Sequence, residues 1–487
     1  MGQDMSDTTR LIAGPFNRVE GDLELTLDIT DGRVREARAN SPLFRGFEMI
    51  LVGKTPLDAL TLTPRICGIC SISQSMAAAR AIAQAIGVTP PAPGQLVAAL
   101  IHAVENLADH LTHFHLFFMP DFARPAYAGR PWHDRVVTRF TATEGSAIRS
   151  ATKARADLLH IMGQLAGKWP HTLSLQPGGV TKAPDARDKV RILATLKACR
   201  RFLETQLFAA PLEEIAALDG EEALAHWRCT SPRGDMGLFL DIAEDLELDH
   251  MGPGPARFLS LGAYETQDGF LFARGLFKDG VTGPVPLEHI AEHLDHSWMT
   301  GAAAHPFTGV TQPDPDMTDP AYSWCKAPRL AGETVEVGAL ARQVVDGHPL
   351  ARALLRNGAA NVRARVLGRL LEVARTALTL EAWAAALSPG ASHMAPAHPL
   401  ETGRGAGLVE AARGSLGHWL IARDGKITNY QIIAPTTWNF SPRDGQGIPG
   451  PVEQALEGAQ VIPGETTPLS VQHIVRSFDP CMVCTVH

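Results

Sequence analysis

No run of about 18 or more apolar residues occurs in this 487-residue chain, which excludes a membrane-spanning helix. The opening residues, Met1 to Ser6, lack a basic segment followed by an apolar stretch, so no secretory signal is expected and the chain reads as cytoplasmic. Gly2 and Ser6 fit a loose acylation pattern, one short enough to arise by chance. A basic excess is missing too. The chain has 44 Lys and Arg against 52 Asp and Glu, a formal charge of −8, which excludes nucleic acid as the main partner. Cysteine is scarce: seven residues cannot staple a disulfide scaffold of this length. Internal repeats, low-complexity tracts and clean linkers are also lacking.

What is present points to one large folded body. Hydrophobic residues make up 45%, enough for a sizeable core, and 44 Gly with 35 Pro imply many ordered loops. Length alone, at about 150 residues per domain, would suggest three domains. Alternating Leu23, Leu25, Leu27 and Ile29, then Asp31-Gly32 and Val34, predict a β-hairpin. Beyond Pro56 the pattern reads as mostly helical, with helices expected over 95–118, 143–168, 186–208 and 338–387. The last is broken around Gly347–Pro349. Residues 305–332, rich in Pro, Asp and Thr, read as a long ordered loop. The expected class is α+β, predominantly helical: a β-rich portion over about 10–55, a helical body over about 56–400, and a C-terminal portion from about 401 to 487.

Four cysteines form two Cys-x-x-Cys pairs near opposite ends, Cys67/Cys70 and Cys481/Cys484. Two thiolates spaced i and i+3 can converge on one metal where the backbone turns tightly, and Gly68 eases one such turn. A soft four-thiolate site suits nickel and iron. Zinc ribbons usually place their halves closer together, a thioredoxin-like role needs only one pair, and covalent haem c fails because Thr485 follows Cys484. Chance core cysteines are the remaining reading of the pairs. Cys199, Cys229 and Cys325 read as small packed hydrophobes. His487 can donate a ring nitrogen near such a site or belong to a frayed tail. His102, Asp109 and His113 fall close to one helix face, where buried, satisfied histidines are commoner than ligands.

An ordered series of motifs resembles the large subunit of nickel–iron hydrogenases across nearly the whole chain. It comprises Arg18-Val19-Glu20-Gly21, Leu43-Phe44-Arg45-Gly46-Phe47-Glu48, Arg65-Ile66-Cys67-Gly68-Ile69-Cys70, Tyr322-Ser323-Trp324 and Lys326-Ala327-Pro328-Arg329. Arg413 to Trp419, Pro435-Thr436-Thr437-Trp438-Asn439 and Asp479-Pro480-Cys481 complete it. The resemblance implies a nickel held by Cys67 and Cys481, with Cys70 and Cys484 bridging to an iron that carries two cyanides and one carbon monoxide. It implies heterolytic cleavage of dihydrogen, with a terminal thiolate such as Cys481 as first proton acceptor and Glu20 as relay; the other reading of Glu20 is an ion pair with Arg18. Arg413 would face the anionic iron ligands and help polarise dihydrogen, or simply pair with Asp109 or Asp479. The Thr436 hydroxyl would bond a cyanide. Asp109, His113 and Asp479 would line the site, and Glu48, His487 and the Ile432 carbonyl would hold magnesium. No further cysteine cluster is left for iron–sulfur centres, so electrons would leave through an iron–sulfur small subunit.

Several positions depart from the family's usual residues. Gln74 stands where catalytic members have histidine; it can bond the bridging sulfur but carries no proton. Ile69 and Phe117 are bulkier than the usual valine and leucine and would narrow a gas channel. Ala412 replaces a proline, Asp22 a histidine, and no extension follows His487. Gln74, Ile69, Phe117 and the bare end resemble the regulatory, hydrogen-sensing branch, which signals through a histidine kinase. A respiratory uptake hydrogenase is the alternative, and a structural zinc protein a remote one.

Overall fold

The computed structural model describes residues 8–230 and 234–487; Gly2 and Ser6 lie outside them. The alternating leucines form the middle of a three-stranded antiparallel sheet, β1 (Thr9–Ala13), β2 (Glu24–Thr30) and β3 (Arg33–Asn40), in that order. Leu25 and Leu27 are buried on one face. Asp31 and Gly32, with φ of 54° and 70°, make the two-residue turn that the strand twist favours.

The central bundle is built from α1 (Ser71–Ile86), α2 (Ala92–Thr112), α3 (Ser146–Ala166), α4 (Ala186–Phe202), α5 (Ala339–Val345) and α6 (Val362–Ala386). Helices α2 and α4 each pack against α3 and α6. The expected helix ends at Phe118 and 208 are reached through wider π-helical turns, His113–Phe118 and Leu203–Leu207. The break at Gly347–Pro349 separates α5 from α6, with a short helix, Pro349–Ala353, between them. Among the described residues, no helix is long and apolar enough to cross a membrane.

Beyond Pro56 the chain is mostly helical, as expected, but strands lie there too. Besides two short two-stranded pairs, two three-stranded antiparallel sheets lie there: β4 (Arg257–Thr266), β5 (Gly269–Lys278), β6 (Val281–Gly283), and β7 (Gly403–Ala411), β8 (Gly414–Arg423), β9 (Lys426–Ile433). Strands β4 and β8 are buried on both faces, so neither shows the polar alternation that betrays a half-buried strand. The loop at 305–332 is largely irregular, as expected, except that Ala327–Leu330 pairs with Ile290–His293. Helix α1 lies directly on β7. A Cβ on Gly405 or Gly407 would come within 2.0 or 1.7 Å of the Ala81 and Ala77 carbonyl oxygens, so only glycine fits this contact.

The two ends of the chain meet over α1. The amide of Glu20 donates to the Pro480 carbonyl at 3.4 Å, and the Met482 amide donates to the Glu20 carbonyl at 2.7 Å. Gly21 has φ of +81°, and a Cβ there would sit 3.1 Å from the Val483 nitrogen. The C-terminal strap then runs through α7 (Leu469–Phe478) and α8 (Met482–Thr485).

A buried ionic cluster fixes the turn between β7 and β8. Arg342 reaches Glu372 at 2.8 Å and Glu410 at 2.7 Å, and donates to the carbonyls of Ala411 and Ala412 at 2.8 and 3.0 Å. Removing the cation strands two buried carboxylates, which typically costs about 3–5 kcal/mol. Arg342→Met is therefore expected to lower the urea midpoint by a corresponding amount. The cluster also carries pH dependence. Burial, the largest influence, pushes Glu372 up, but Arg342 and His110 together bring it down to about 2. Its contribution to stability is thus complete above the ordinary carboxylate range and is lost as the pH falls toward 2. Glu372→Gln should show a flatter acid limb in unfolding midpoint against pH than the wild type; parallel limbs would contradict this.

Candidate metal centre

Cys67 sits in the loop before α1, Cys70 is the residue that starts α1, Cys481 precedes α8, and Cys484 lies within it. Their sulfurs all lie within 4.8 Å of one another, and all four residues are buried. Cys67 Sγ is 3.4 Å from Cys481 Sγ, Cys70 Sγ is 3.3 Å from Cys484 Sγ, and Cys481 Sγ is 3.0 Å from Cys484 Sγ. None is joined in a disulfide. The Ile69 and Cys70 amides point to Cys67 Sγ at 3.3 and 3.5 Å. Hydrogen bonds from the Cys481, Cys484 and Cys70 thiols, helped by the Arg413 charge, hold Cys67 well below the usual thiol range. Bonds to Cys481 and Cys67 hold Cys70 and Cys484 well above it, and burial raises Cys481. Four buried sulfurs facing one another are a ready ligand set: a soft metal displaces the thiol protons and satisfies the sulfurs. No histidine or carboxylate belongs to this group, which favours thiophilic metals over magnesium or calcium here.

Arg413, at the β7–β8 turn, is the buried cation facing this site. It donates to Asp109 at 2.5 Å, to the Asp479 carboxylate at 3.1 Å and to the Asp479 carbonyl at 2.9 Å. Both expected pairings therefore occur together. Burial is the main influence on Asp109 and drives it up to about 7 against the pull of Arg413. Asp479 adopts φ of 60°, closing α7 and turning the chain into Cys481. The Thr436 hydroxyl accepts the Cys481 amide at 3.0 Å. His113 reaches the Arg476 carbonyl at 2.7 Å, and His102 the Ser73 hydroxyl at 3.1 Å, so neither joins the metal group. Glu20 is half-buried. Burial, then the charge on Cys67, raises its pKa, with Arg413 opposing. The ion pair between Glu20 and Arg18 does not form; Arg18 turns to Asp121, already ringed by Arg124 and Arg476.

Glu105 carries weight that sequence reading missed. Its carboxylate takes the Ile72 and Ser73 amides at 2.7 and 2.9 Å and the Trp169 indole at 2.9 Å, anchoring the start of α1 just after Cys70. Ile69 lines a cavity of about 10 Å³ with Glu105, Asp109 and Trp169, and Phe117 is not among its walls. Cys229 is exposed rather than packed, whereas Cys199 and Cys325 are buried as expected. Asp22 is exposed, and nothing in the structure explains it. A cleft of about 830 Å³ lies elsewhere, beside Arg80, Arg274 and Arg404, and touches none of the four cysteines.

Glu48 and His487 do come together, at 3.3 Å, but the Ile432 amide, not its carbonyl, meets Glu48, at 2.7 Å. A residue quoted in the motifs without a role completes this cluster. Lys326 Nζ lies 2.9 Å from Glu48, 3.4 Å from Glu292, 3.1 Å from the Thr311 hydroxyl and 2.8 Å from the Gln431 amide oxygen. Burial raises Glu48, but Lys326 and His487 outweigh it and bring the carboxyl down to about 2.

The pattern of the family described as "Nickel-dependent hydrogenase" matches residues 45–129 and 235–487. The "Periplasmic [NiFeSe] hydrogenase large subunit" of Desulfomicrobium baculatum is 31% identical, over 97% of this chain and 94% of its own. The "Hydrogenase-2 large chain" of Escherichia coli K12 is 28% identical, over 98% and 97% of the two chains. A solved structure of H2-activated Dm. baculatum [NiFeSe]-hydrogenase superposes with a TM-score of 0.83 at 28% identity, covering 99% of this chain and 100% of that one. The chain belongs to the nickel-dependent hydrogenase family, as a large subunit.

Proposed function

We propose that the chain cleaves dihydrogen heterolytically as the large subunit of a hydrogen-oxidising hydrogenase. The observation that carries the proposal is the convergence of four buried cysteine sulfurs within 4.8 Å. A bound nickel–iron pair would supply the redox-active, Lewis-acidic centre. Cys67 and Cys481 would be terminal ligands on nickel, and Cys70 and Cys484 the bridges. Three of the five N–H groups of Arg413 are committed to Asp109 and Asp479, which leaves two for anionic iron ligands such as cyanide. Thr436 accepts the Cys481 amide through its oxygen, so its hydroxyl proton is available to the same ligands. Cys481 Sγ would take the first proton and Glu20, on the N-terminal segment bonded to the C-terminal strap, would pass it on. Its raised pKa suits a group that must both accept and release. The two electrons leave through an iron–sulfur small subunit, in keeping with the large-subunit and large-chain names of the relatives.

Glu48 and His487 would hold magnesium, beside a Lys326 ammonium that already meets two carboxylates. Two carboxylates and one ammonium leave the cluster negative, and a divalent ion would reverse that. Ile69 is retained as a channel wall because it lines the cavity next to Asp109; Phe117 rests on the resemblance alone.

A second reading is a cytoplasmic hydrogen sensor acting through a histidine kinase. It is favoured by Gln74, which leaves the site without the usual ionisable group at that position. Turnover separates the two. Rapid dihydrogen-dependent dye reduction by the purified heterodimer, independent of any kinase, is the expected result; dihydrogen binding with only slow dye reduction would favour the sensor.

A further inference from the structure

The cleft beside Arg80, Arg274 and Arg404 takes no part in the metal chemistry, yet its walls are ordered for a ligand. Its volume of about 830 Å³ suits one small organic molecule. The floor belongs to the β7–β8 pair. Ala406 and Leu408, which alternate with the glycines pressed on α1, line it. Trp419, opposite Ala406 in the register, ends the Arg413–Trp419 motif and has no task at the cysteines. Its ring rests on Gly417, where a Cβ would come within 2.3 Å of it. His305 fixes the aromatic corner. Its Nε2 donates to the Leu287 carbonyl at 3.2 Å, and its Nδ1 accepts the Phe307 amide at 3.1 Å. The imidazole stacks on Phe307 with centroids 5.6 Å apart and meets Trp419 edge-on at 6.4 Å. Arg404 lies over the Phe307 ring at 5.1 Å.

A second group of lining residues is cationic. Arg80 Nη1 donates to the Leu408 carbonyl at 3.1 Å and Arg274 Nε to the Leu261 carbonyl at 2.7 Å, so the backbone fixes both guanidiniums. Glu265 lies 3.4 Å from Arg80 and is itself half-exposed. Burial lowers the pKa of both arginines, and the charge on Glu265 offsets this only in part. Three arginines face two glutamates, Glu265 and Glu288, along the cleft, a positive surplus on a chain of charge −8. One carboxylate would close that gap, and the planar guanidinium fork matches a carboxylate's two oxygens. Charge and rings together define the ligand. We propose that the cleft binds a small aromatic carboxylate, its acid group at Arg80 and Arg274 and its ring against Trp419 and Phe307. This inference does not depend on the metal site.

Calorimetric titration of the purified heterodimer with naphthalene-2-carboxylate, its primary amide and octanoate tests the proposal. The aromatic acid should give a saturable isotherm. The amide keeps the rings without the charge, and octanoate keeps the charge without the rings; each should bind at least about tenfold more weakly. Arg80→Met and Arg274→Met should each weaken the aromatic acid by about tenfold and leave the amide unchanged. Absence of saturable binding, as when a segment of the small subunit fills the cleft, would overturn the proposal. Equal affinity for acid and amide, octanoate binding as tightly as the aromatic acid, or full affinity for the acid in both variants would overturn it too. Should Arg80→Met fail to fold, Arg274→Met decides, because Arg274 is an exposed residue of β5.

Discussion

Cys481→Ser is expected to abolish nickel binding and to lower dihydrogen-dependent dye reduction at least about a thousandfold, since the metal itself supplies the chemistry. Cys481 Sγ lies within 3.4 Å of Cys67 Sγ and 3.0 Å of Cys484 Sγ, so no neighbouring group can replace it without moving a helix. Serine is a hard oxygen donor, a poor ligand for nickel in a thiolate set. The loss should be chemical rather than structural: serine nearly matches the buried Cys481 in size, and the bonds of Met482 and Pro480 to Glu20 are made by the backbone. Elemental analysis and circular dichroism of the variant check both parts. Full nickel content with retained turnover would show that the cysteine is not a ligand.

Glu20→Gln should have the next largest effect. The amide matches the carboxylate in shape but carries no transferable proton, so nickel content should hold while proton exchange falls by about 10²–10⁴-fold. Glu20 is tied to the cysteine strap by its own backbone, while its side chain makes no ion pair with Arg18. That leaves the carboxyl free to move between partners. Hydrogen–deuterium exchange under deuterium gas reads the step directly, and exchange equal to that of the wild type would exclude Glu20 as the relay.

Much of the site could be read from residue spacing because its ligands come in short, rigid pairs. Cys67/Cys70 and Cys481/Cys484 declare themselves, and their meeting across 414 positions follows once a single site is required. The hairpin at Leu23 to Val34 was equally legible, since one face is buried and its turn carries Asp-Gly. Strands β4 and β8 were not, because burial on both faces erases their period. The partners of Glu48 escaped for another reason. Glu292, Thr311 and Gln431 are scattered across the chain and become a cluster only when Lys326 is folded among them. The pairing of Gln74 with His418 is of the same kind, a contact between a helix and a sheet 344 positions apart. Arg18 shows the opposite failure: its nearness to Glu20 in sequence suggested a pair, but buried Asp121 provides the stronger partner.

The most direct measurement is nickel X-ray absorption, with elemental analysis, on the purified heterodimer. One nickel per large subunit in an all-sulfur protein shell, lost in Cys481→Ser, is the predicted result. Zinc in place of nickel, or nickel bound by nitrogen and oxygen alone, would contradict a dihydrogen-cleaving centre built on Cys67, Cys70, Cys481 and Cys484.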